Sequence, residues 1–435
     1  MDEAGPLVIF ANFVSDLAVD LEESGALAEW AEQAPRKAWL LRPGDVLVTP
    51  VPLSEEFLRY ACGLTRVPTD EVTVVEVPPV AADGPASTGA VPMGQALRAA
   101  GLAERLRTLA GERGSALLPT ALDASAVSFA RDLGITVRPF PTVDAAAAAL
   151  EVTRRLNTKA GFREVAAELG MRLPVGRVCR RGEVHETVRE LLETYERVVV
   201  KPDRSAGGHG LRFVSRNDPT WTQQGLEAVG GPDGTWVVEQ CVDVAASVSV
   251  QLEVSATGTR PLYSGVMRTA RGSFTGYVSP LPPASPPVSE ELDRWGVALG
   301  NHLARHGYAG PLGVDALVTT DGALLAGESN VRRTATTTVQ AMVDRLSALS
   351  GRSDRAWSVA RRRARRRFGF EEALHRLSAY DLAFDPARGE GVVLYADVPP
   401  DGHSWRYAVI GEHAEGVEEQ EARLAVALGF LPPSP

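Results

Sequence analysis

The chain has 435 residues, 44% hydrophobic and 23% charged, with a formal net charge of -10. That length asks for two or three cores rather than one, and the composition is that of a globular soluble protein. The acidic balance argues against nucleic acid or an anionic membrane as a partner.

Residues 7–13 read as a buried strand, and 46–49 and 72–77 as two more, each bounded by Pro, Gly or Asp. Helical patterns occupy about 54–63 and 94–112, and residues 81–90 read as a loop. Asp123 is placed to cap a helix running to Leu133, with Gly134 ending it. Strands alternating with helices predict an α/β layer of mostly parallel strands, with a first domain over 1–145. A helix-rich segment follows from 145 to 169. Strands are then expected at 197–201, 210–214, 235–240, 247–255 and 261–269, the last two long and suited to antiparallel pairing. A helix over 292–306 precedes two strands, 313–318 and 323–328. These flank Thr319-Thr320-Asp321-Gly322, which carries the Asp-Gly hairpin signal. Residues 336–349 form another helix. The arginine run Arg361 to Arg367, broken by Ala364, reads as a solvated helix face against an acidic neighbour. Strands at 391–398 and 406–412 and a helix at 416–429 close the chain.

The N-terminal residues are acidic where a signal peptide would be basic. No apolar run approaches the ~20 residues of a membrane span. Cys62, Cys179 and Cys241 lie far apart without metal-ligand spacing. A cytoplasmic location follows as an expectation, with no membrane partner. For oligomeric state a homodimer is only the prior.

Of 45 Lys plus Arg, three are lysine: Lys37, Lys159 and Lys201. A coding bias explains most of that. A lysine that survives it can mark a place where a compact ammonium is needed and a wide guanidinium does not fit.

Asp315 and Glu328 stand 13 residues apart on the two strands of the predicted hairpin. Asn330, two residues beyond Glu328, returns to the same face. Two carboxylates and an amide oxygen are hard ligands that suit Mg²⁺ shared with substrate phosphates. Ordinary surface acids on an exposed hairpin are the plain alternative. Arg332 and Arg333 follow directly and can hold a carboxylate or phosphate. Lys201 ends an apolar strand and is followed by Ser205-Ala206-Gly207-Gly208-His209-Gly210. Such a small-residue loop lets backbone N–H groups approach phosphates, although it has neither P-loop nor G-x-G-x-x-G spacing. The segment Glu239-Gln240-Cys241-Val242 ends a strand and can offer backbone groups to an adenine edge.

This ordered set resembles the ATP-grasp superfamily over about residues 150–350. The resemblance implies an α/β chain in which a pre-ATP-grasp domain (1–145) precedes two α+β lobes clasping ATP. The small lobe spans 146–245, and the large lobe with a C-terminal α+β segment spans 246–435. It further implies that Lys159, Lys201, Ser205, Gly207 and Gly208 meet the ATP phosphates. Glu239, Gln240 and Val242 would hold adenine. Asp315, Glu328 and Asn330 would bind Mg²⁺, and Arg332 would orient the substrate acyl group. Where many members carry a ribose-binding acid this chain has Ala246, which leaves Asp243 or a main-chain group. Arg268 and Arg271 are expected on a strand facing the site, with Arg268, Arg332 and Arg333 as carboxylate-binding candidates. The phrase Pro43-Gly44-Asp45-Val46-Leu47-Val48, the first strand ending in Asn12, and Gly391-Val392-Val393 with Ile410-Gly411 resemble peptide ligases of the PGM-1 type. Those act in peptide natural-product pathways. The implied activity is ATP-dependent amide formation between amino acids or short peptides. A small-molecule kinase and a non-catalytic ATP-binding regulator are the alternatives. His302 and His306, four apart without a following Glu, read as a helix-surface pair.

Overall fold

The computed structural model describes residues 5–17, 31–78, 91–112, 114–205, 207–217, 234–270, 272–282 and 286–432. The loop expected at 81–90 lies outside them, as does Arg271. The first sheet contains β1 (Leu7–Phe10), β2 (Val46–Thr49), β3 (Thr73–Glu76) and β4 (Ala116–Pro119), all parallel, in the order β3-β2-β1-β4. Its helices are α1 (Glu55–Thr65), α2 (Met93–Ala99), α3 (Ala103–Glu112) and α4 (Ala124–Leu133). The single helix expected over 94–112 is two. Gly101, at φ +68, turns the chain between them.

Alternation along β1 and β2 decides what covers each face. Val8, Phe10, Val46 and Val48 join the core built with α2 and α4. Ile9, Ala11 and Leu47 point the other way, into a core shared with Trp39, Phe57 and C-terminal residues such as Trp357 and Trp405. The N-terminal sheet is therefore buried on both faces, as a parallel sheet requires.

Helices α5 (Val143–Ala148), α6 (Leu150–Leu156) and α7 (Lys159–Glu168) lead to the second sheet. It contains β5 (Gly176–Arg180), β6 (Arg197–Pro202), β7 (Arg212–Ser215) and β8 (Thr235–Gln240), antiparallel in the order β5-β8-β6-β7. Helix α8 (Val184–Thr194) buries Val184, Val188 and Leu191 against it.

The third sheet is antiparallel and larger. Its strands are β9 (Val244–Ser255), β10 (Gly258–Ala270), β11 (Ser273–Ser279), β12 (Gly310–Thr319), β13 (Leu324–Asn330), β14 (Ala356–Arg363), β15 (Gly391–Val393) and β16 (Ser404–Gly411). They lie in the order β13-β12-β9-β10-β11-β14-β16-β15. Helix α9 (Pro286–Arg305) packs on β9, β10 and β12, and α10 (Ala335–Leu349), α11 (Phe370–Ala379) and α12 (Ala414–Ala427) complete the chain. The hairpin β12–β13 forms as its Asp-Gly turn predicts.

The arginine run is corrected: Arg361 to Arg363 belong to β14, not to a helix. Arg362 lies 5.5 Å from the Phe430 ring centroid and donates to the Leu431 carbonyl at 2.7 Å. No helix among the described residues is long and apolar enough to cross a membrane.

Asp123 ties the N-terminal sheet to α4. Its Oδ1 accepts from the Ala126 N–H at 2.6 Å as the helix N-cap. Its Oδ2 accepts from Asn12 at 3.0 Å and Ser15 at 2.7 Å. Burial pushes this carboxyl above its ordinary range, and those hydrogen bonds pull it back. Asp123→Ala removes the cap and strands two buried partners. The expected loss is about 2–3 kcal/mol in urea unfolding, from one cap plus unsatisfied groups.

Candidate active site

A cleft of about 860 Å³ is lined by residues of both antiparallel sheets and of the N-terminal domain. On the large-sheet side, Asp315 and Glu328 are cross-strand partners, and Asn330 sits opposite Gly313. Gly313 leaves room for a neighbour, because a Cβ there would come within 2.7 Å of the Gln251 amide. Asn330 Nδ2 donates to Asp315 Oδ2 at 3.0 Å. Desolvation, then the adjacent Glu328 charge, raises the Asp315 carboxyl to about 7; hydrogen bonds from Ser249 and Asn330 and the charge of Arg332 oppose the rise. Arg332 is itself pulled down by desolvation and held up by Glu328 and Asp315. It donates to Asn157 Oδ1 at 2.7 Å, and the same oxygen accepts from the Val331 N–H at 3.1 Å.

Thr158 caps α7 through the Gly161 N–H, which sets Lys159 at the first helical position. The Asp203 carboxylate accepts from the Ala160 N–H at 2.8 Å, and its carbonyl accepts from the Lys159 N–H at 3.0 Å. Lys159, 8% exposed, places Nζ 3.0 Å from Ser205 Oγ and 3.4 Å from Glu328 Oε2. One ammonium thus spans the glycine loop and the carboxylate hairpin. Lys201 is ion-paired with Glu239, whose other oxygen pairs with Arg163. Gly176 permits this, since a Cβ there would meet the Val238 carbonyl at 2.5 Å.

The glycine loop reaches across to the turn between β10 and β11. Phe274 N–H donates to the Gly207 carbonyl at 3.3 Å. A Cβ on Gly208 would lie 2.0 Å from the Gly272 oxygen. Gly207 and Gly208 adopt φ +63 and +82, so side chains are disfavoured by conformation at both and by space at Gly208.

The cleft is lined by Lys159, Lys201, Ser205, Gly207, Gly208, Glu239, Gln240, Val242, Asp315, Glu328, Asn330, Arg332 and Arg333. Within the 239–242 segment, the Gln240 and Cys241 N–H groups are bonded to the Val175 and Arg197 carbonyls. The Glu239 carboxylate is 2% exposed and committed to its two cations. It fixes Lys201 rather than presenting an acceptor to a base. Leu211, Phe213 and Leu317 add apolar wall to the cleft.

Arg268 is a correction. Met267 and Thr269 line the cleft, and strand alternation turns Arg268 to the opposite face. There it binds Glu421 of α12 at 2.7 Å, on the oxygen that also accepts from Tyr407. Asp243 pairs with Arg197 at 2.6 Å and does not line the cleft. Sequence reading missed Asn157, Arg163, Asp203 and Ser249. Each acts through a neighbour that was legible.

No group of three or more His, Cys, Asp or Glu side chains that could hold a metal occurs among the described residues. The pair Asp315 and Glu328 with Asn330 nonetheless fits a hard divalent cation that takes its remaining ligands from phosphates and water. The Asp315 carboxyl is raised first by burial and then by the neighbouring Glu328 charge, and a bound cation would relieve both.

With that geometry in hand, similarities are informative. Residues 34–135 match the family model of the Pre ATP-grasp domain, and 372–424 match that of the PGM1 C-terminal domain. No curated protein matches the chain. Among solved structures, N5-carboxyaminoimidazole ribonucleotide synthetase from Thermus thermophilus is similar at TM-score 0.56 and 16% identity, over 93% of this chain and 98% of that one. N5-carboxyaminoimidazole synthase from Aspergillus clavatus, solved with ADP and 5-aminoimidazole ribonucleotide, gives 0.56 and 11%, over 98% and 99%. Rhizobium etli pyruvate carboxylase gives 0.58 and 15%, over 97% of this chain and 37% of that one. The protein is thus an α/β protein that shares the fold of these N5-carboxyaminoimidazole ribonucleotide synthetases. More particularly, it carries a pre-ATP-grasp domain at its N-terminal side and a PGM1-type C-terminal domain.

Two outcomes follow. A carboxyl whose folded-state pKa is raised from 3.8 to about 7 weighs against the fold once ionised. That penalty is absent below about pH 4 and complete above about pH 7. In EDTA, Asp315→Asn should match the wild-type Tm near pH 4 and exceed it at pH 8, as read by differential scanning fluorimetry. Arg268→Gln should lower Tm and leave nucleotide affinity in calorimetric titration unchanged.

Proposed function

We propose that this protein is an ATP-dependent, Mg²⁺-requiring ligase that forms ADP and joins a carboxylate to an amine. The observation that carries the reading is Lys159, shared between Ser205 of the glycine loop and Glu328 of the carboxylate hairpin. A triphosphate lying between these two elements would be held by the cations that already organise them. The ADP-bearing neighbour of the same fold is consistent with it.

In this reading the N–H of Val242 faces the adenine edge, with Leu211, Phe213 and Leu317 against its faces. Gly207, Gly208 and Ser205 offer loop groups to the phosphates, and Lys159 and Lys201 neutralise them. Asp315, Glu328 and Asn330 would hold Mg²⁺, which when bound offsets phosphate charge. Arg332, fixed by Asn157, receives the substrate carboxylate, and Arg333 lies beside it. The carboxylate oxygen attacks the γ-phosphorus and ADP leaves, giving an acyl phosphate. The neutral amine then attacks the acyl carbon, inorganic phosphate leaves with the bonding pair of the C–O bond, and the proton lost from nitrogen goes to that phosphate. Placement and charge neutralisation supply the rate, since three phosphates and a carboxylate must share one small volume.

Amino acids or short peptides are the substrates we assign. The likeness to PGM-1-type ligases supports that class and a role in natural-product assembly. The free cysteines suit a cytoplasmic setting. Glu328→Gln and Lys201→Ala should each lower ADP release, measured with ATP, Mg²⁺ and an amino-acid and peptide panel, at least ~100-fold. Near-normal release from either variant would falsify the assignment. A phosphorylated acid accumulating as the stable product, with no amide formed, would identify a kinase instead.

A further inference from the structure

Three successive residues at the root of the glycine loop each reach a different group. Asp203 is tied to the start of α7, where it accepts from the Lys159 and Ala160 N–H groups. Ser205 accepts from Lys159 Nζ, at 3.0 Å through its hydroxyl and 3.3 Å through its carbonyl. Arg204 stands between them and does not line the cleft, although Lys201 and Ser205 do. Its guanidinium crosses instead to the N-terminal domain, where Nη1 donates to the Asp16 carbonyl at 3.2 Å. The partners are 188 residues apart in the chain, and the bond is partly buried. Arg154 of α6 adds a looser contact to the Asp16 carboxylate at 3.8 Å.

The receiving end is held firmly. Ser15, the residue before Asp16, donates its hydroxyl to the buried Asp123 carboxylate at 2.7 Å. Asn12 donates to the same carboxylate, and its own side-chain oxygen accepts from the Thr120 and Ala121 N–H groups. The Thr120 carbonyl in turn accepts from the Arg333 N–H at 2.9 Å. The turns after β1 and β4 therefore bond to both walls of the cleft. They reach the glycine loop through Arg204 and the segment just past the carboxylate hairpin through Arg333.

We propose that Arg204 is a positioning residue. It latches the glycine loop to the N-terminal domain and thereby sets the affinity for the outer phosphates of a nucleoside triphosphate without touching them. A glycine-rich loop has much conformational freedom to lose when it closes on a ligand. Fixing its root before the ligand arrives removes part of that cost. Asp203 and Ser205 hold the root to α7. Arg204 refers it to the domain that also holds Arg333, so the two walls keep one spacing. The outer phosphates lie between those walls, whereas the adenine and first phosphate depend less on that spacing. The inference rests on the ATP reading of the cleft.

The test compares two nucleotides on three proteins. Adenylyl imidodiphosphate, a non-hydrolysable triphosphate, and AMP would be titrated calorimetrically with Mg²⁺ into wild type, Arg204→Gln and Arg204→Lys, with circular dichroism confirming the fold of each. Arg204→Gln should weaken the triphosphate about ten-fold, the scale of one charge-assisted hydrogen bond, and AMP by less than about two-fold. Arg204→Lys keeps a cationic donor and should lose less than Arg204→Gln. A residue that served only general stability would weaken both nucleotides alike and would gain nothing from lysine. Triphosphate binding unchanged in Arg204→Gln, equal losses for the two nucleotides, or a lysine variant no better than the glutamine one overturns the latch and leaves the ATP reading standing. Wild type that binds neither nucleotide overturns the ATP reading, and the latch with it.

Discussion

The site is organised around a repulsion. Asp315 and Glu328 face each other across β12 and β13, where paired Cβ atoms lie about 5 Å apart. Two carboxylates at that spacing resist ionising together. Nearly every group around them answers that conflict. Lys159 reaches Glu328, Asn330 donates to Asp315, and Arg332 adds positive potential to both. Burial first, and the Glu328 charge after it, keep the Asp315 carboxyl raised despite them. The hairpin turn at Thr319 to Gly322 fixes the register, so the repulsion is built into the covalent order of the chain.

The cations that answer it are positioned by groups not required to touch substrate. Glu239 holds Lys201 on one side and Arg163 on the other. Asn157 holds Arg332, and Asp203 ties the start of α7 to the glycine loop. All three lysines sit in crowded surroundings. Lys37 is 1% exposed and donates to Thr338 at 2.9 Å beside the Phe13 ring. A guanidinium is wider and rigidly planar, so these small pockets are where an arginine-rich sequence retains an ammonium.

Much of this was legible because it is local. Alternation marked β9 and β10, the Asp-Gly turn set the hairpin, and Asp123 announced its helix. The cleft residues share a simple feature: most end or follow a strand whose direction the sequence reveals. Arg268 misled because its neighbours Met267 and Thr269 face the cleft, and a register of one residue reverses a side chain. The arginine run misled because consecutive arginines on a strand and on a helix look alike in composition. Asn157 and Asp203 were invisible for a different reason. Their partners, Arg332 and Ala160, are respectively 175 and 43 residues away.

The C-terminal strands do more than extend a sheet. By joining β11 through β14, they bring Trp357 and Trp405 against the face of the N-terminal sheet that carries Ile9 and Leu47. One hydrophobic core therefore locks the first domain to the last. The same seam carries polar consequences at its cleft edge, where Arg36 from one domain meets Tyr395 and Arg406 from the other.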